Sequence, residues 1–381
     1  MPTLLESVTR LFTPVKPLSP GIFHYQASSD SPIPYRLHLR IEPDGNGMLI
    51  VNASTILHLN QTAVEFAYHL IKQTPEEQML REITSRYRVN RQHALQDFQL
   101  LQDRIQALIS SPDVDPETYL DFERTTPHSH QMLAPIRLDC ALTYRLPATF
   151  DDSLAPIDRV RREMSTEEWC GIFDKAWGFG IPHVIFTGGE PTQRNDLPDL
   201  ITHLESNGQV VGLISDGLKL IDNYYLQSLL QTGLDHLMIT LTPDNEIAWK
   251  ALENVLASDL FVSVHITLTP QVIQIIQNVM QRLVNIGVKS FSLTASAPGL
   301  QNSLIQARNQ AASLGLSLVW DLPVPYSAFN PVTLETETDD LPLGAGHTWL
   351  YIEPDGDVLP AQGINQVLGN ILTDPWEKLW Q

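Results

Sequence analysis

Cysteine is scarce. Cys140 and Cys170 are the two thiols among 381 residues, they lie 30 positions apart, and no C-x-x-C pattern joins them. Two thiols are too few for an iron–sulfur cluster, which takes three or four. Disulfides belong to oxidising compartments, and the apolar strand around Cys140 and the helical pattern around Cys170 make both core thiols. Long apolar runs are missing too. No stretch of about 18 uninterrupted apolar residues occurs, so no membrane span is expected. The opening MPTLLESVTRLFTPVKP has no basic head followed by an apolar block, which predicts no secretory signal and a cytoplasmic protein. G-x-S-x-G, H-E-x-x-H and phosphate-loop patterns do not occur. Twelve histidines are present, but the closest pair, His128 and His130, has no third ligand near it. No metal site is predicted. His58, His183, His236 and His265 sit in or beside apolar strands and read as packed, hydrogen-bonded side chains.

Positive charge is short in one part of the chain. Residues 1–110 hold ten Lys or Arg and ten Asp or Glu; the remaining 14 basic and 34 acidic residues carry the whole net charge of −20. Such a surface repels phosphate backbones, so nucleic acid is excluded as a partner of this part.

What is present divides the chain into five stretches. Residues 1–34 contain several prolines and read as an irregular arm. Over 35–110 the pattern changes: YRLHLRI, MLIVNA and TILHLN are short strands. Three helices follow, the first capped by Asn60 and the second by Thr74, with Pro75 at its first position. This is a winged-helix-like module. Residues 111–133 are a polar linker. From 134 to 340, apolar strands alternate with amphipathic helices about every 25 residues, a spacing that predicts βα units on a parallel sheet or barrel. The strands are IRLDCALTY, HVIFTGG, QVVGLISDG, HLMITLTP, FVSVHITLTP, SFSLTAS and SLVWDLP. Ser165 with Glu168 forms a capping box, and Gly180, Gly208, Gly233, Gly287 and Gly315 stand at C-cap spacing. Residues 341–381 hold a hairpin around Asp355-Gly356.

FTGGEP, Phe186–Pro191, closes the second of these strands. Two glycines allow close approach of a ligand to the backbone, and Glu190 offers an acceptor for an ammonium. The other reading is a tight turn that strand packing requires.

The order of these pieces resembles the radical S-adenosylmethionine (SAM) enzymes. The resemblance rests on GGEP after a STEE helix and before a DL-x-x-LI helix. The tail, with PDGDV, LGN and a W-x-x-x-W-like end, resembles the SPASM extension of their peptide-modifying branch. Residues 35–110 resemble a PqqD-type domain, which holds the leader of a ribosomal precursor peptide. The resemblance implies an α/β fold: a radical-SAM-like partial (β/α) barrel, 134–340, between a winged-helix-like PqqD domain and a short SPASM-like tail, 341–381. It also implies a SAM pocket at Gly188, Gly189, Glu190, Pro191, Asp216, Thr240 and Thr242. In the PqqD family the leader adds a strand beside the third strand and packs on the third helix. Here these are Thr55, Ile56, Leu57, His58 and Leu59, and Leu95, Phe98, Gln102 and Ile105.

One stretch departs from the family. Where it reads LTYRCNLRCPYC, this chain reads LTYRLPATFDDS, so Leu146, Phe150 and Ser153 replace the three cluster cysteines. Leu343 and Ala361 replace cysteines of the tail. Leu, Phe and Ala cannot ligate iron, and Ser is a poor substitute for a thiolate. The expectation is therefore a pseudo-enzyme with no cofactor: no cluster, and SAM lost with the iron that helps to hold it. Its function would be to bind a leader peptide and present it to an active maturation enzyme, with neither nucleic acid nor membrane as partner. The alternative is retained SAM binding, or non-radical chemistry at the strand ends by Glu190, Asp216 and Thr242.

Overall fold

The computed structural model describes residues 18–28, 31, 33, 35–52, 55–110, 132–147, 151–320, 322–335 and 342–380. The chain divides into two compact units, Met1–Ser129 and His130–Gln381.

Among the described residues, the first unit is a four-stranded antiparallel meander followed by three helices. Its strands are β1 (Gly21–Gln26), β2 (Arg36–Ile41), β3 (Gly47–Val51) and β4 (Thr55–Leu59), in that order across the sheet. Its helices are α1 (Gln61–Ile71), α2 (Glu76–Arg86) and α3 (Arg91–Ser110). Period-two alternation puts Leu37, Leu39 and Ile41 on one face. There they join Leu49, Leu57 and Leu59 against Val64, Met79, Ile83 and Ile105 of the helices. Asn60 caps α1 as expected, accepting from Ala63 N. Two local readings change. The proline-rich arm contains β1, paired with β2 from Gly21↔Ile41 to Gln26↔Arg36. Thr74 does not cap α2: its hydroxyl lies 3.1 Å from His69 Nδ1, and α2 begins after Pro75 with no side-chain cap.

The second unit is built on one ten-stranded sheet of order β11-β10-β9-β8-β7-β6-β5-β12-β13-β14. Seven strands follow one another in parallel: β5 (Arg137–Thr143), β6 (His183–Gly188), β7 (Val210–Ser215), β8 (His236–Thr240), β9 (Phe261–Leu268), β10 (Ser290–Ala295) and β11 (Ser317–Leu318). Helices α4 (Thr166–Gly178), α5 (Leu197–Asn207), α6 (Asn223–Leu230), α7 (Glu246–Leu256), α8 (Pro270–Asn285) and α9 (Gln301–Ser313) connect them. Outward residues such as Leu138, Cys140, Val184, Phe186 and Leu213 pack with Trp169, Phe173 and Leu200 in the main core. The Ser165–Glu168 capping box is formed, and the five C-terminal glycines all have positive φ.

The tail extends this sheet. β12 (Trp349–Ile352) pairs in parallel with β5, and β13 (Asp357–Leu359) returns antiparallel to it. Gly356, at φ 94°, turns the hairpin. β14 (Gly369–Asn370) and α10 (Trp376–Leu379) close the chain.

The run SLVWDLP is not a full strand. Two of its residues pair with β10, and after Val319 N donates to Phe291 O the chain leaves the sheet edge. Pro323 and Pro325 lack the N–H groups that a ladder requires. The chain instead crosses the sheet face opposite the helices, where Val324 packs on Ile185, Ile214 and Met238.

Candidate functional site

The carboxyl ends of the parallel strands converge on the GGEP turn. Gly188 has φ 114°, and a Cβ there would lie 2.4 Å from Thr143 O; one on Gly189 would lie 2.4 Å from Arg145 O. Glycine is therefore required for β6 to leave the sheet so close to β5. Two backbone bonds fix the turn: Gly189 N donates to Thr143 O (2.7 Å) and Glu190 N to Arg145 O (2.9 Å).

The Glu190 side chain is buried and already engaged. One carboxylate oxygen accepts from Thr192 N (3.0 Å), Thr192 Oγ1 (2.7 Å) and Ser215 Oγ (2.8 Å); the other accepts from Asp216 N (2.8 Å). Glu190 thus ties the turn to the end of β7. Pro191 opens the short 3-10 turn Pro191–Gln193.

A cleft of about 60 Å³ lies over this turn. Asp216, Thr240, Thr242, His265, Thr267 and Tyr326 are among its lining residues. Of the expected pocket positions, Gly189, Glu190, Asp216, Thr240 and Thr242 line this cleft, whereas Gly188 and Pro191 do not. Burial, and next the Glu190 carboxylate, push the Asp216 carboxyl up to about 8. Asp216 Oδ1 accepts from Leu218 N at 2.9 Å. Sequence reasoning treated His265 as packing alone. Burial holds its imidazole neutral, at about 3, and it contacts Ser292 Oγ (3.1 Å), Thr267 Oγ1 (3.2 Å) and Thr294 Oγ1 (3.1 Å). The alternation of FVSVHITL, which puts Ser263, His265 and Thr267 on one face, is the signal that would have placed it here.

A larger cavity of about 420 Å³ lies on the same sheet face, lined in part by Asp139, Ser292, Thr294, Trp320, Tyr326 and Trp349. Tyr326 lines both the cleft and this cavity and meets Tyr144 edge-on: Tyr144 Oη donates to Glu353 Oε1 (2.8 Å), and Tyr326 Oη donates to Glu335. Arg159 bridges Glu335 (2.7 Å) and Glu353 (3.2 Å).

The cluster positions do not converge as a metal site. Leu146 is buried among Ala141, Tyr144, Ala155, Tyr326, Tyr351 and Leu359. Ser153 is exposed in a short 3-10 turn, and Phe150 lies outside the described residues. Leu343 is exposed, and Ala361 packs with Ala345 and Trp349. Cys140 is buried in β5 and Cys170 partly buried on α4. This donor set does not fit an iron–sulfur cluster. His128 and His130 also lie outside the described residues.

In the first unit, β4 is an edge strand. Leu57 and Leu59 point into the core, while Thr55, Ile56 and His58 are half-buried. On α3, Leu95 and Phe98 are partly buried and Gln102 is exposed; Phe98 meets Phe66 at 6.0 Å between ring centroids. Ile105, expected on the peptide face, is 2% exposed and belongs to the core. Among the described residues no helix is long and apolar enough to cross a membrane.

No family model matches the chain. It is 35% identical over 120 residues to the PqqA peptide cyclase of Rhizobium meliloti, covering 31% of each protein. It is 27% identical over 277 residues to that of Streptomyces rochei, covering 65% of this chain and 76% of the relative. The match thus spans about a third of the first relative and about three-quarters of the second. Streptococcus suis SuiB shares the fold at a TM-score of 0.55 and 15% identity, over 90% of this chain and 86% of that one. SuiB has been solved bound to SAM, again at 0.55, and bound to its precursor peptide SuiA, at 0.54. The chain is thus similar in sequence to PqqA peptide cyclases and in fold to SuiB. These similarities correct the expectation of a chain without a cofactor, in which SAM is lost: the chain is similar to peptide cyclases, and SuiB, whose fold it shares, has been solved bound to SAM. Asp216, Thr240 and Thr242 belong to the pocket that the resemblance implies. They give the cleft a carboxyl and two hydroxyls.

Proposed function

We propose that this protein acts in peptide maturation by holding a precursor peptide on its first unit and SAM at the GGEP turn of its second. The observation that carries the reading is the convergence of the GGEP turn, Asp216, Thr240 and Thr242 on one cleft, in a chain related to PqqA peptide cyclases. The Asp216 carboxyl would take the ammonium of SAM, and the threonine hydroxyls its polar groups. Bound SAM supplies an electrophilic sulfonium. The peptide would add a strand at Thr55–Leu59 and lay side chains on Leu95, Phe98 and Gln102 of α3. With leucine, serine and phenylalanine at the cluster positions, the protein would present the peptide to a separate maturation enzyme.

A second reading is favoured by one observation, the affinity of Asp216 for its proton. A carboxyl titrating at about 8 suits a general acid or base at neutral pH, which makes non-radical chemistry at the cleft the alternative. Calorimetric titration of the full chain with SAM, and separately with precursor peptides encoded beside its gene, tests the main reading. Saturable binding of both is expected. Heat from SAM and none from any peptide would remove the presenting role and leave chemistry at the cleft.

A further inference from the structure

The segment that replaces the expected seventh strand does something specific to the GGEP turn. Thr187 Oγ1 donates to Pro323 O (2.6 Å), and Tyr326 N donates to Gly188 O (2.7 Å). The backbone carbonyl at the glycine turn, which the bare chain there leaves open to a ligand, is thus occupied by another part of the same chain. Val324, Pro325, Tyr326, Ser327 and Phe329 form a wall of the cleft. Val324 and Tyr326 also line the larger cavity, so this segment stands between the two. With it in place the cleft measures about 60 Å³, whereas sites for ligands of drug size run from about 300 to 1,000 Å³.

The segment is clamped by side chains rather than by a strand ladder. Asn330 Nδ2 and Gln362 Nε2 both donate to Val324 O (2.7 and 2.8 Å). The Tyr326 ring meets Tyr144 edge-on at 5.4 Å, and its hydroxyl donates to Glu335. Withdrawal of the segment breaks these latching bonds, the two bonds to Thr187 and Gly188 and the packing of Val324 on Ile185, Ile214 and Met238, but no bond between strands of the sheet.

We propose that the segment Leu322–Phe329 is an internal competitor for the SAM site. Its Tyr326 amide occupies the Gly188 carbonyl, and SAM binds when the segment withdraws toward the 420 Å³ cavity. The inference rests on the SAM-binding reading above. Closure lowers the apparent affinity by the fraction of molecules in which the segment is withdrawn, so weakening the latch strengthens binding without altering any group that lines the cleft on the strand side.

The test combines calorimetry with SAM and hydrogen exchange at the Tyr326 amide, on the wild type, Gln362→Ala and Tyr326→Phe. The first substitution removes a clamp on Val324 O, and the second removes the bond to Glu335 while keeping the ring. Tighter SAM binding by both variants, at least about fivefold, with faster exchange of the Tyr326 amide when SAM is added, is the expected result. SAM binding with an unchanged or better protected Tyr326 amide, and no gain in either variant, would overturn the competition and make the segment a fixed wall of the site. If neither the wild type nor either variant binds SAM, the SAM reading itself falls, and the competition with it.

Discussion

At the scale of single residues, the site is governed by two glycines and two carboxyls. A methyl group on Gly188 or Gly189 would meet a backbone oxygen at 2.4 Å, and both oxygens are fixed by the turn's own bonds, Thr143 O from Gly189 N and Arg145 O from Glu190 N. Gly189→Ala should therefore lower stability by about 2 kcal/mol or more in urea denaturation. Glu190 and Asp216 are joined where the Asp216 N–H donates to a Glu190 carboxylate oxygen (2.8 Å). The Glu190 charge is the second cause, after burial, of the high Asp216 pKa, so Glu190→Gln should lower it, as read from the side-chain carbon shift of Asp216 by NMR. A cationic ligand needs Asp216 ionised. SAM affinity should accordingly rise as pH rises toward about 8, and Asp216→Asn should weaken binding and flatten that dependence in calorimetry.

At the scale of elements, α3 separates two roles that its sequence pattern combined. Leu95, Phe98, Gln102 and Ile105 read as one face, but Ile105 is buried under the sheet while Phe98 is at its margin. Ile105→Ala should cost about 2–5 kcal/mol of stability, the usual range for a buried aliphatic truncated in a core. Phe98→Ala should weaken precursor-peptide binding about tenfold, about 1.4 kcal/mol, with a smaller loss of stability. Thermal melts and peptide titrations of the two variants distinguish them; equal effects on both readouts would deny α3 a peptide face. The β4 edge was legible because an alternating strand precedes a capped helix. That β1 joins the same sheet was not, since Gly21–Gln26 lies among prolines and its pairing with β2 is a contact of distant residues.

At the scale of the whole molecule, buried titratable groups set the pH range of stability. Burial holds His24 and His236 at about 4 and His38 and His265 at about 3. These lie below the ordinary value near 6.5. Their unfolded forms bind protons more readily, so the stability they contribute is present above pH 6.5 and is lost as pH falls toward 4. Asp216 acts in the other direction: its raised pKa contributes stability at acid pH that is lost as pH rises through about 8. Burial also lowers His69 and His183 and raises the carboxyls of Glu65, Asp139 and Glu353; the six histidines outnumber the four raised carboxyls, so the urea midpoint should fall as pH drops from 6.5 to 4. A flat profile there would mean that these histidines are not buried in solution.

The sequence by itself determined most local structure, because hydrophobic period and cap chemistry act over a few residues. Ser165 with Glu168, Asn60, the C-terminal glycines and the Asp355-Gly356 hairpin all formed as their patterns require. It also supplies Leu146 and Ser153 at positions where the resemblance implies thiolates, which is a matter of residue type alone. Tertiary structure decided what those residues touch. Glu190 carries the same carboxylate whether it faces a ligand or the protein; only folding gave it Thr192, Ser215 and Asp216 as donors. Only folding, too, brought Tyr326 onto Gly188, a contact across 138 positions of chain. Two prolines forbid a ladder in SLVWDLPVP, but no local rule states where a segment without a ladder will lie. That is set by the apolar floor of Ile185, Ile214 and Met238, which three separate strands assemble.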